Sequence, residues 1–231
     1  MSRLMPDFML IYGVFKEEIK NRFLCIVNIN GEDTLCYIPS SCRLSNFIDL
    51  KNRVVALKPI KKKDARTRFS VYAVKYRNSF ILLNLLEANS IIEQQINRKI
   101  FCFLGNRESV MREKTIYGYK SDLYISDTDT IIEVKSLLTI EKEAQVPSVF
   151  SERGNRQLLD LKRLLQDGHK VCYMFVSLYS GVKEIHLNVE QREYTRSFNE
   201  CIANGMTSCA FSVYMHDGGP IIKSRIKVNM D

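Results

Sequence analysis

Two carboxylates and one lysine near the middle of the chain have the residue types and spacing of a metal-dependent phosphodiesterase site. Asp122 comes shortly before Glu133, and Lys135 follows Glu133 after a single residue. Carboxylate oxygens are the ligands that Mg²⁺ and Mn²⁺ prefer in proteins. An ammonium group beside such a metal can neutralise phosphate charge or orient an attacking water. The spacing therefore predicts a Mg²⁺ or Mn²⁺ site that acts on phosphodiesters.

A pair of antiparallel strands is needed to bring these side chains together. We predict strands over residues 117–126 and 130–138, with the turn between them at residues 127–129. Alternate side chains on a strand point to opposite faces, so Glu133 and Lys135 share one face. The ordinary interpretation of a Glu-x-Lys pair is a solvated, salt-bridged strand surface. Here the flanking isoleucine and valine residues favour a partly buried site instead.

The surrounding sequence alternates between the two types of secondary structure, which indicates an α/β domain. Helices are predicted at residues 86–97, 152–166 and 192–204, and further strands at 171–178, 184–189 and 209–214. The strand at 171–178 is an almost continuous apolar run, which is typical of a strand buried on both faces.

The first third of the chain has short β-like segments and little helical periodicity. An Asn30-Gly31 pair between two such segments is a hairpin signal. Four or five short strands within about 70 residues fit a small β-barrel such as an OB-fold. The predicted organisation is an OB-fold-like domain over residues 1–78 and an α/β domain over residues 79–231.

Composition restricts the class of protein and of partner. The formal net charge is +8 and the pI is about 9.1, which favours polyanions such as nucleic acid. The seven cysteines are odd in number and contain no CxxC pair, which predicts free thiols in a reducing compartment. No segment has the length and apolarity of a membrane span. We expect a cytoplasmic protein without a membrane partner, and composition leaves a homo-oligomer open.

The densest basic run falls within the predicted barrel. It contains Lys61, Lys62, Lys63, Arg66 and Arg68. Such a run is ordinarily a solvated loop, but it also has the composition of a phosphate-contacting loop. Nearby aromatic residues would allow bases to stack, and they are equally suited to the barrel core; they are Phe69, Tyr72 and Tyr76.

Several motifs together resemble the sugar fermentation stimulation protein A family. They are Asp122, Ile132-Glu133-Val134-Lys135-Ser136, Ser151-Glu152-Arg153-Gly154 at the start of a helix, Asn21-Arg22-Phe23, and Leu83-Asn84 followed by Ala88-Asn89. The resemblance covers residues 20–180. It implies an N-terminal OB-fold followed by a domain similar to PD-(D/E)XK nucleases, with DNA binding and nuclease activity.

The resemblance also assigns roles to individual residues. It makes Asp122 and Glu133 metal ligands, Lys135 the catalytic lysine, and Glu113 a further metal ligand. Arg153 is expected to bind phosphate, and Gln157 to orient water or backbone at the catalytic site. Arg22, within the Asn21-Arg22-Phe23 motif, is expected to contact nucleic acid.

This chain departs from the family pattern at two segments, Ser40-Ser41-Cys42 and Pro147-Ser148. The second departure removes a carboxylate near the site and leaves the Asp-Glu-Lys trio intact. Two functions are therefore predicted as alternatives. One is a Mg²⁺- or Mn²⁺-dependent DNA or RNA nuclease. The other is a non-catalytic DNA-binding regulator that uses the nuclease fold as a scaffold.

Overall fold

The computed structural model describes residues 9–19, 23–39, 48–216 and 219–230. The first sheet has strands β1 (Ile11–Glu18), β2 (Leu24–Ile29), β3 (Glu32–Tyr37), β4 (Val54–Pro59), β5 (Phe69–Tyr76) and β6 (Ser79–Leu82). The elements that follow are α1 (Glu87–Gln95), β7 (Val110–Arg112), β8 (Thr115–Ile116), β9 (Tyr119–Lys120), β10 (Leu123–Ile125), β11 (Thr130–Leu137), β12 (Glu143–Val146), α2 (Glu152–Gln166), β13 (Lys170–Ser177), β14 (Glu184–Leu187), α3 (Arg192–Ala203), β15 (Thr207–His216) and β16 (Gly219–Asn229). Short 3₁₀ turns cover Lys99–Leu104 and Ser126–Thr128.

The first sheet closes into a five-stranded barrel of the predicted OB type. Its strands run in the order β3-β2-β1-β4-β5-β6, and a further pairing of β3 with β5 closes the ring. Asn30 and Gly31 both have positive φ, as the predicted two-residue hairpin turn between β2 and β3 requires.

The second sheet is mixed, with the order β12-β14-β16-β15-β13-β11-β10-β7. The strands β11, β13 and β15 run parallel at its centre, while β10 pairs antiparallel with β11. One face packs against α1, and α2 lies against the other face beside α3. The prediction of an OB-fold followed by a mixed-sheet α/β domain is confirmed.

The strand β6 connects the two sheets. It pairs with β5 in the barrel, and its Leu82 N–H donates to the carbonyl of Leu178, just after β13, at 3.0 Å. The Ser79 and Ser180 hydroxyls are also 3.0 Å apart. The division between residues 78 and 79 stays a prediction, because this strand is hydrogen-bonded to both parts.

Helix α2 begins and ends at the residues that the sequence predicts. The Ser151 hydroxyl accepts a hydrogen bond from the Gly154 N–H, which is the usual cap of a helix N-terminus. After the helix, Gly168 has φ +94°, a left-handed conformation that favours glycine. The leucines that pack α2 onto the sheet are Leu158, Leu161, Leu164 and Leu165. Gln157 lies one helical turn before Leu161 and so on the same side of α2, where its amide contacts Glu133 and Lys135 of β11.

Five of the predicted free cysteines are buried, namely Cys25, Cys36, Cys172, Cys201 and Cys209, whereas Cys102 is exposed. Cys42 lies outside the described residues. Among the described residues, no helix combines the length and the apolar character needed to cross a membrane.

An Asp–His pair closes the turn between β10 and β11. Asp129 has φ +49° and accepts hydrogen bonds from Tyr124 and from the His169 ring, at 2.8 and 2.7 Å. Burial by itself raises the pKa of Asp129. The hydrogen bonds from His169 and Tyr124 outweigh burial and hold the pKa below its ordinary value. The ionised carboxylate therefore stabilises the turn that aligns β10 with β11.

We expect Asp129→Asn to lower the free energy of unfolding by about 1 kcal/mol at pH 6, after allowance for solvent screening of this half-exposed group. Asparagine tolerates the left-handed backbone, so mainly the charge is tested. The folded-state pKa of Asp129 is depressed, so the difference between the proteins is fully present above about pH 4. It disappears as the pH falls further through that pKa. Urea unfolding at several pH values measures this difference.

Asp64→Asn in the exposed β4–β5 connection is the control, and it should change stability by less than about 0.5 kcal/mol. A loss in Asp129→Asn that stays constant down to pH 2 would show that the ionised carboxylate contributes nothing.

Candidate active site

The β10–β11 hairpin places Asp122 beside Glu133, as predicted. Leu123 pairs with Ile132, so the residues before and after this pair are also adjacent across the two strands. The Asp122 Oδ2 atom accepts a hydrogen bond from the Val134 N–H at 2.8 Å. The predicted strand over residues 117–126 is in fact interrupted. Asp122 lies in the break between β9 and β10, which corrects the expectation that it stands within a strand.

The interruption has a physical cause in the segment that runs beside it. The Ser121 N–H and hydroxyl both donate to the carbonyl of Lys114, and the Glu113 N–H donates to the carbonyl of Asp122. These hydrogen bonds connect residues 121 and 122 to residues 113 and 114, just beyond the point where the pairing of β10 with β7 ends. They fix the backbone of Asp122 with its side chain over β11.

Helix α1 contributes a second contact to Asp122. The Asn89 side-chain amide donates to Asp122 Oδ1 at 2.9 Å. Both oxygens of this carboxylate therefore have a protein donor, one from the β11 backbone and one from α1. Asn89 was singled out in the sequence only as part of a family motif, without a role. The structure places it as the group that orients the candidate metal ligand.

Glu133 is almost completely buried, with 2% of its surface exposed. Its Oε2 atom accepts from the Tyr119 hydroxyl at 2.5 Å. Its Oε1 atom accepts from Lys135 at 2.6 Å and from the Gln157 amide at 2.9 Å. Burial raises the pKa of the Glu133 carboxyl above its ordinary value. The nearby Asp122 also raises it, while the Lys135 ammonium acts in the opposite direction.

Lys135 is held between a carboxylate and an amide. Its Nζ atom is 2.6 Å from Glu133 Oε1 and 2.7 Å from Gln157 Oε1. The ammonium also lies over the ring of Tyr173, 5.8 Å from the centroid. An ammonium has three donors, and these two contacts leave one for a ligand. Gln157 uses both ends of its amide to fix Glu133 and Lys135, which is more specific than the predicted orientation of water or backbone.

The side chains of β11 point alternately to the two faces of the sheet, as predicted. Ile132 and Val134 pack in the hydrophobic cluster on the α1 side of the sheet. Glu133 and Lys135 lie on the other side, together with Gln157 of α2.

These groups surround one cleft of about 410 Å³. Predicted site residues that line it are Asp122, Glu133, Lys135, Arg153 and Gln157. Arg153 is exposed, and it makes no ion pair with the described part of the chain. Ser148, one of the expected departures from the family pattern, also lines the cleft. The cleft therefore combines two carboxylates with two cationic side chains.

Gly154, the last residue of the Ser-Glu-Arg-Gly motif, allows α2 to begin at this cleft. A Cβ atom at this position would lie 3.3 Å from the Ser151 hydroxyl oxygen and 3.8 Å from the ring of Tyr194. The distance to Tyr194 is an ordinary contact, whereas the distance to Ser151 is tight, so the absence of a side chain leaves room for the helix cap.

Glu113 is not brought to this site. Its side chain is 62% exposed and is paired with Lys120 at 2.5 Å. The hydrogen bond from Lys120 lowers the pKa of Glu113 below its ordinary value. Among the described residues, no cluster of three or more His, Cys, Asp or Glu side chains has the arrangement of a metal site. The role of Glu113 as a metal ligand stays a prediction, and the geometry gives it no support.

The predicted nucleic-acid-binding residues of the barrel lie in the connection between β4 and β5. Lys61, Lys62, Lys63, Arg66 and Arg68 are all exposed there. Arg68 lies over the ring of Phe69, 5.9 Å from the centroid. Tyr72, one of the aromatic residues considered for stacking, is buried instead. Arg22 and the Ser40-Ser41-Cys42 segment lie outside the described residues.

Family comparisons cover most of the chain. Residues 86–219 match the family described as the sugar fermentation stimulation protein RE domain, and residues 19–83 match the SfsA N-terminal OB domain.

Individual relatives are similar over nearly the same extent. A sugar fermentation stimulation protein homolog from Caldanaerobacter subterraneus subsp. tengcongensis is 25% identical over 223 residues, or 95% of this chain and 96% of the relative. One from Methanobrevibacter smithii is 26% identical over 193 residues, or 78% and 80%. A solved structure, described as Pyrococcus furiosus SfsA in complex with Ca²⁺, has a TM-score of 0.78 and 20% identity. The match covers 99% of this chain and all of that one. At this identity, the likeness shows the shared fold.

Proposed function

This chain belongs to the sugar fermentation stimulation protein family, and from that premise we propose that it binds nucleic acid and hydrolyses phosphodiester bonds with Mg²⁺ or Mn²⁺. The observation that supports this most is the position of the Lys135 ammonium. It contacts both Glu133 and Gln157 in the cleft that Asp122 also lines. A buried carboxylate, a second carboxylate and an oriented ammonium are the groups that phosphodiester hydrolysis uses.

The donor set fits a hard divalent cation. Asp122 and Glu133 would hold it through carboxylate oxygens, each of which can accept more than one partner. Mg²⁺ usually binds one or two carboxylates and keeps several waters, whereas a structural zinc site needs four Cys, His or acidic ligands. When bound, the metal would supply positive charge beside the scissile phosphate. The relative from Pyrococcus furiosus was solved with Ca²⁺, another cation that takes oxygen ligands.

The chain's own residues would do the remaining chemistry. The free donor of Lys135 would contact a phosphate oxygen or the attacking water. The Arg153 guanidinium can bind two phosphate oxygens at once, and no described residue competes for it. Gln157 would hold Lys135 and Glu133 in place through the reaction. Together these groups would stabilise the charge that develops on the phosphate.

A direct test is a cleavage assay with purified protein on single- and double-stranded DNA and RNA. We expect products with Mg²⁺ or Mn²⁺, and none with EDTA. Gel electrophoresis of end-labelled strands measures cleavage. Absence of products from every substrate with both metals would rule out the proposed hydrolysis.

A second candidate function, nucleic-acid binding without turnover, is favoured by one observation. Every oxygen of Asp122 and Glu133 already accepts a hydrogen bond from the protein. Such a site can keep its shape as a scaffold without a metal. Salt-sensitive binding with no products under any metal would support this function over hydrolysis.

Both candidate functions predict that the β4–β5 connection contributes to binding. Neutralising Lys61, Lys62 and Lys63 together, by substitution to alanine, should weaken binding of a single strand. The slope of log affinity against log salt should become shallower by about 2, since each phosphate contact contributes about 0.7. Fluorescence anisotropy at several salt concentrations measures this slope.

A control variant with the same change in net charge replaces Lys99, Lys142 and Lys183, which are exposed elsewhere. It should leave the slope nearly unchanged. Equal slopes in the two triple variants would mean that only net charge matters, and the β4–β5 connection would lose its assigned role.

A further inference from the structure

A second pocket adjoins the cleft that Asp122, Glu133 and Lys135 line, which we call the catalytic cleft. Its volume is about 330 Å³, and it shares Pro147, Ser151 and Tyr194 with the cleft as lining residues. Phe150 lines this pocket and is 64% exposed, so the face of its ring is accessible to a ligand. The segment between β12 and α2 thus separates the two pockets and presents a bare aromatic ring to the second one. We refer to this second pocket as the base pocket.

The two pockets differ in net charge. In the catalytic cleft, the cationic side chains of Lys135 and Arg153 balance the carboxylates of Asp122 and Glu133. The base pocket contains Glu190 and Glu193, with Arg192 as its one cationic lining residue. A divalent cation held by the two carboxylates would make the cleft net positive and attract a phosphate, whereas the excess negative charge of the base pocket would repel it. An uncharged group suits the base pocket better.

The polar groups of the base pocket suit a flat, heterocyclic ligand. The Asn155 amide donates to Glu193 at 3.2 Å, and Gln191 lies at the start of α3. Amide and carboxylate side chains are the groups that hydrogen-bond to base edges, while an aromatic ring stacks on a base face. Phe150, Gln191 and Glu193 therefore offer both kinds of contact within one pocket.

From these features, and on the basis of the proposed function, we propose that the base pocket binds one unpaired nucleobase of a strand whose phosphate lies in the catalytic cleft. Shared lining residues place the two pockets next to each other, as the base and phosphate of one nucleotide region require. A base inside a duplex is stacked between its neighbours and cannot reach Phe150. The substrate class is therefore single-stranded or locally unpaired nucleic acid.

The sequence provides a sensitive test, because the chain contains no tryptophan. Phe150→Trp places a single fluorescent indole at the base pocket. Leu159→Trp is the matched control, since Leu159 is 56% exposed on α2 and lines neither pocket. Both variants are titrated with oligo-dT, with the same oligomer made fully abasic, and with a blunt duplex. Titrations are done with EDTA and again with Ca²⁺, and fluorescence anisotropy of labelled strands follows binding separately.

We expect oligo-dT to quench the emission of Phe150→Trp. The abasic oligomer and the duplex should leave it unchanged, and no strand should quench Leu159→Trp. In addition, Phe150→Ala should weaken oligo-dT binding about tenfold, the loss of one base–aromatic stack, without changing affinity for the abasic oligomer.

Two results would overturn the base pocket while nucleic-acid binding stands. One is saturated binding of oligo-dT by anisotropy without quenching at Phe150→Trp. The other is equal quenching by the blunt duplex. If the unaltered protein binds no strand at all, the proposed function fails as well, so the two failures are distinguishable.

Discussion

Lys135→Met is expected to lower the rate of metal-dependent strand cleavage by roughly 10²–10³-fold, the cost of removing one preorganised donor to the charge that develops in a transition state. Methionine keeps an unbranched stem that can pack on the Tyr173 ring, so the variant removes mainly the ammonium. Burial raises the pKa of Glu133, and loss of the Lys135 ammonium acts in the same direction. The Tyr119 hydroxyl and the Gln157 amide still donate to the carboxyl, so the fold should survive. Initial rates on a labelled strand measure the effect, and circular dichroism checks the fold.

Lys162→Met provides a closely matched control. Lys162 is 31% exposed and pairs with Glu200 at 2.9 Å, whereas Lys135 is 28% exposed and pairs with Glu133 at 2.6 Å. Its cleavage rate should stay within about twofold of the unaltered protein. Unchanged cleavage in both Lys135→Met and Glu133→Gln would trace the activity to a contaminant or to another site.

The parts of the site that could be predicted are those joined by a short connection. Asp122 and Glu133 belong to one hairpin, whose turn is readable as the polar residues 126–129. Alternation along β11 then determines which side chains share a face. Lys135 follows from the same rule, because it is two residues from Glu133 on the same strand.

The groups that complete the site come from parts of the chain that have no local signal. Asn89 reaches Asp122 from α1, 33 residues earlier, and Tyr119 hydrogen-bonds Glu133 across an irregular segment. Neither contact follows from spacing, because both depend on how α1 and β9 pack. Glu113 shows the opposite case. The family resemblance implied that it is a metal ligand, but its carboxylate pairs with Lys120.

Secondary structure was also predicted well where the signals are local, and missed where an element depends on a distant partner strand. Helix α2 has periodic leucines, a serine cap and a terminal glycine, so the predicted bounds and the observed bounds agree. The strand β16 was not predicted. Its exposed Lys223, Arg225 and Lys227 stand at alternate positions, as on a half-exposed strand, whereas its pairing with β15 and β14 has no local signal. The short β12 likewise depends on its parallel partner β14.

Asp122→Asn is expected to weaken divalent-metal binding by about 100-fold or more, and to lower cleavage to a similar degree, since even the loss of a group that only orients a metal ligand costs 10–100-fold. Asparagine keeps an oxygen that can accept from the Val134 N–H, so the hairpin should remain folded. Binding of Ca²⁺ measured by calorimetry separates metal affinity from catalysis.

Asn89→Ala isolates the orienting contact from the ligand itself. It removes the donor to Asp122 Oδ1 and leaves both carboxylates of the site intact. We expect Ca²⁺ affinity to fall about tenfold, less than in Asp122→Asn, because the carboxylate remains but is no longer held in one orientation.

Glu113→Gln decides between the family pattern and the geometry. Glu113 and Asp122 are both acidic and are joined by a backbone hydrogen bond, so the two variants remove the same charge from neighbouring positions. If Asp122 and Glu133 alone hold the metal, Glu113→Gln should leave Ca²⁺ affinity within about twofold. A loss as large as that of Asp122→Asn would mean that Glu113 leaves Lys120 and turns to the metal on binding. The ratio of the Ca²⁺ affinities of Glu113→Gln and Asp122→Asn therefore tells whether Glu113 is a third metal ligand.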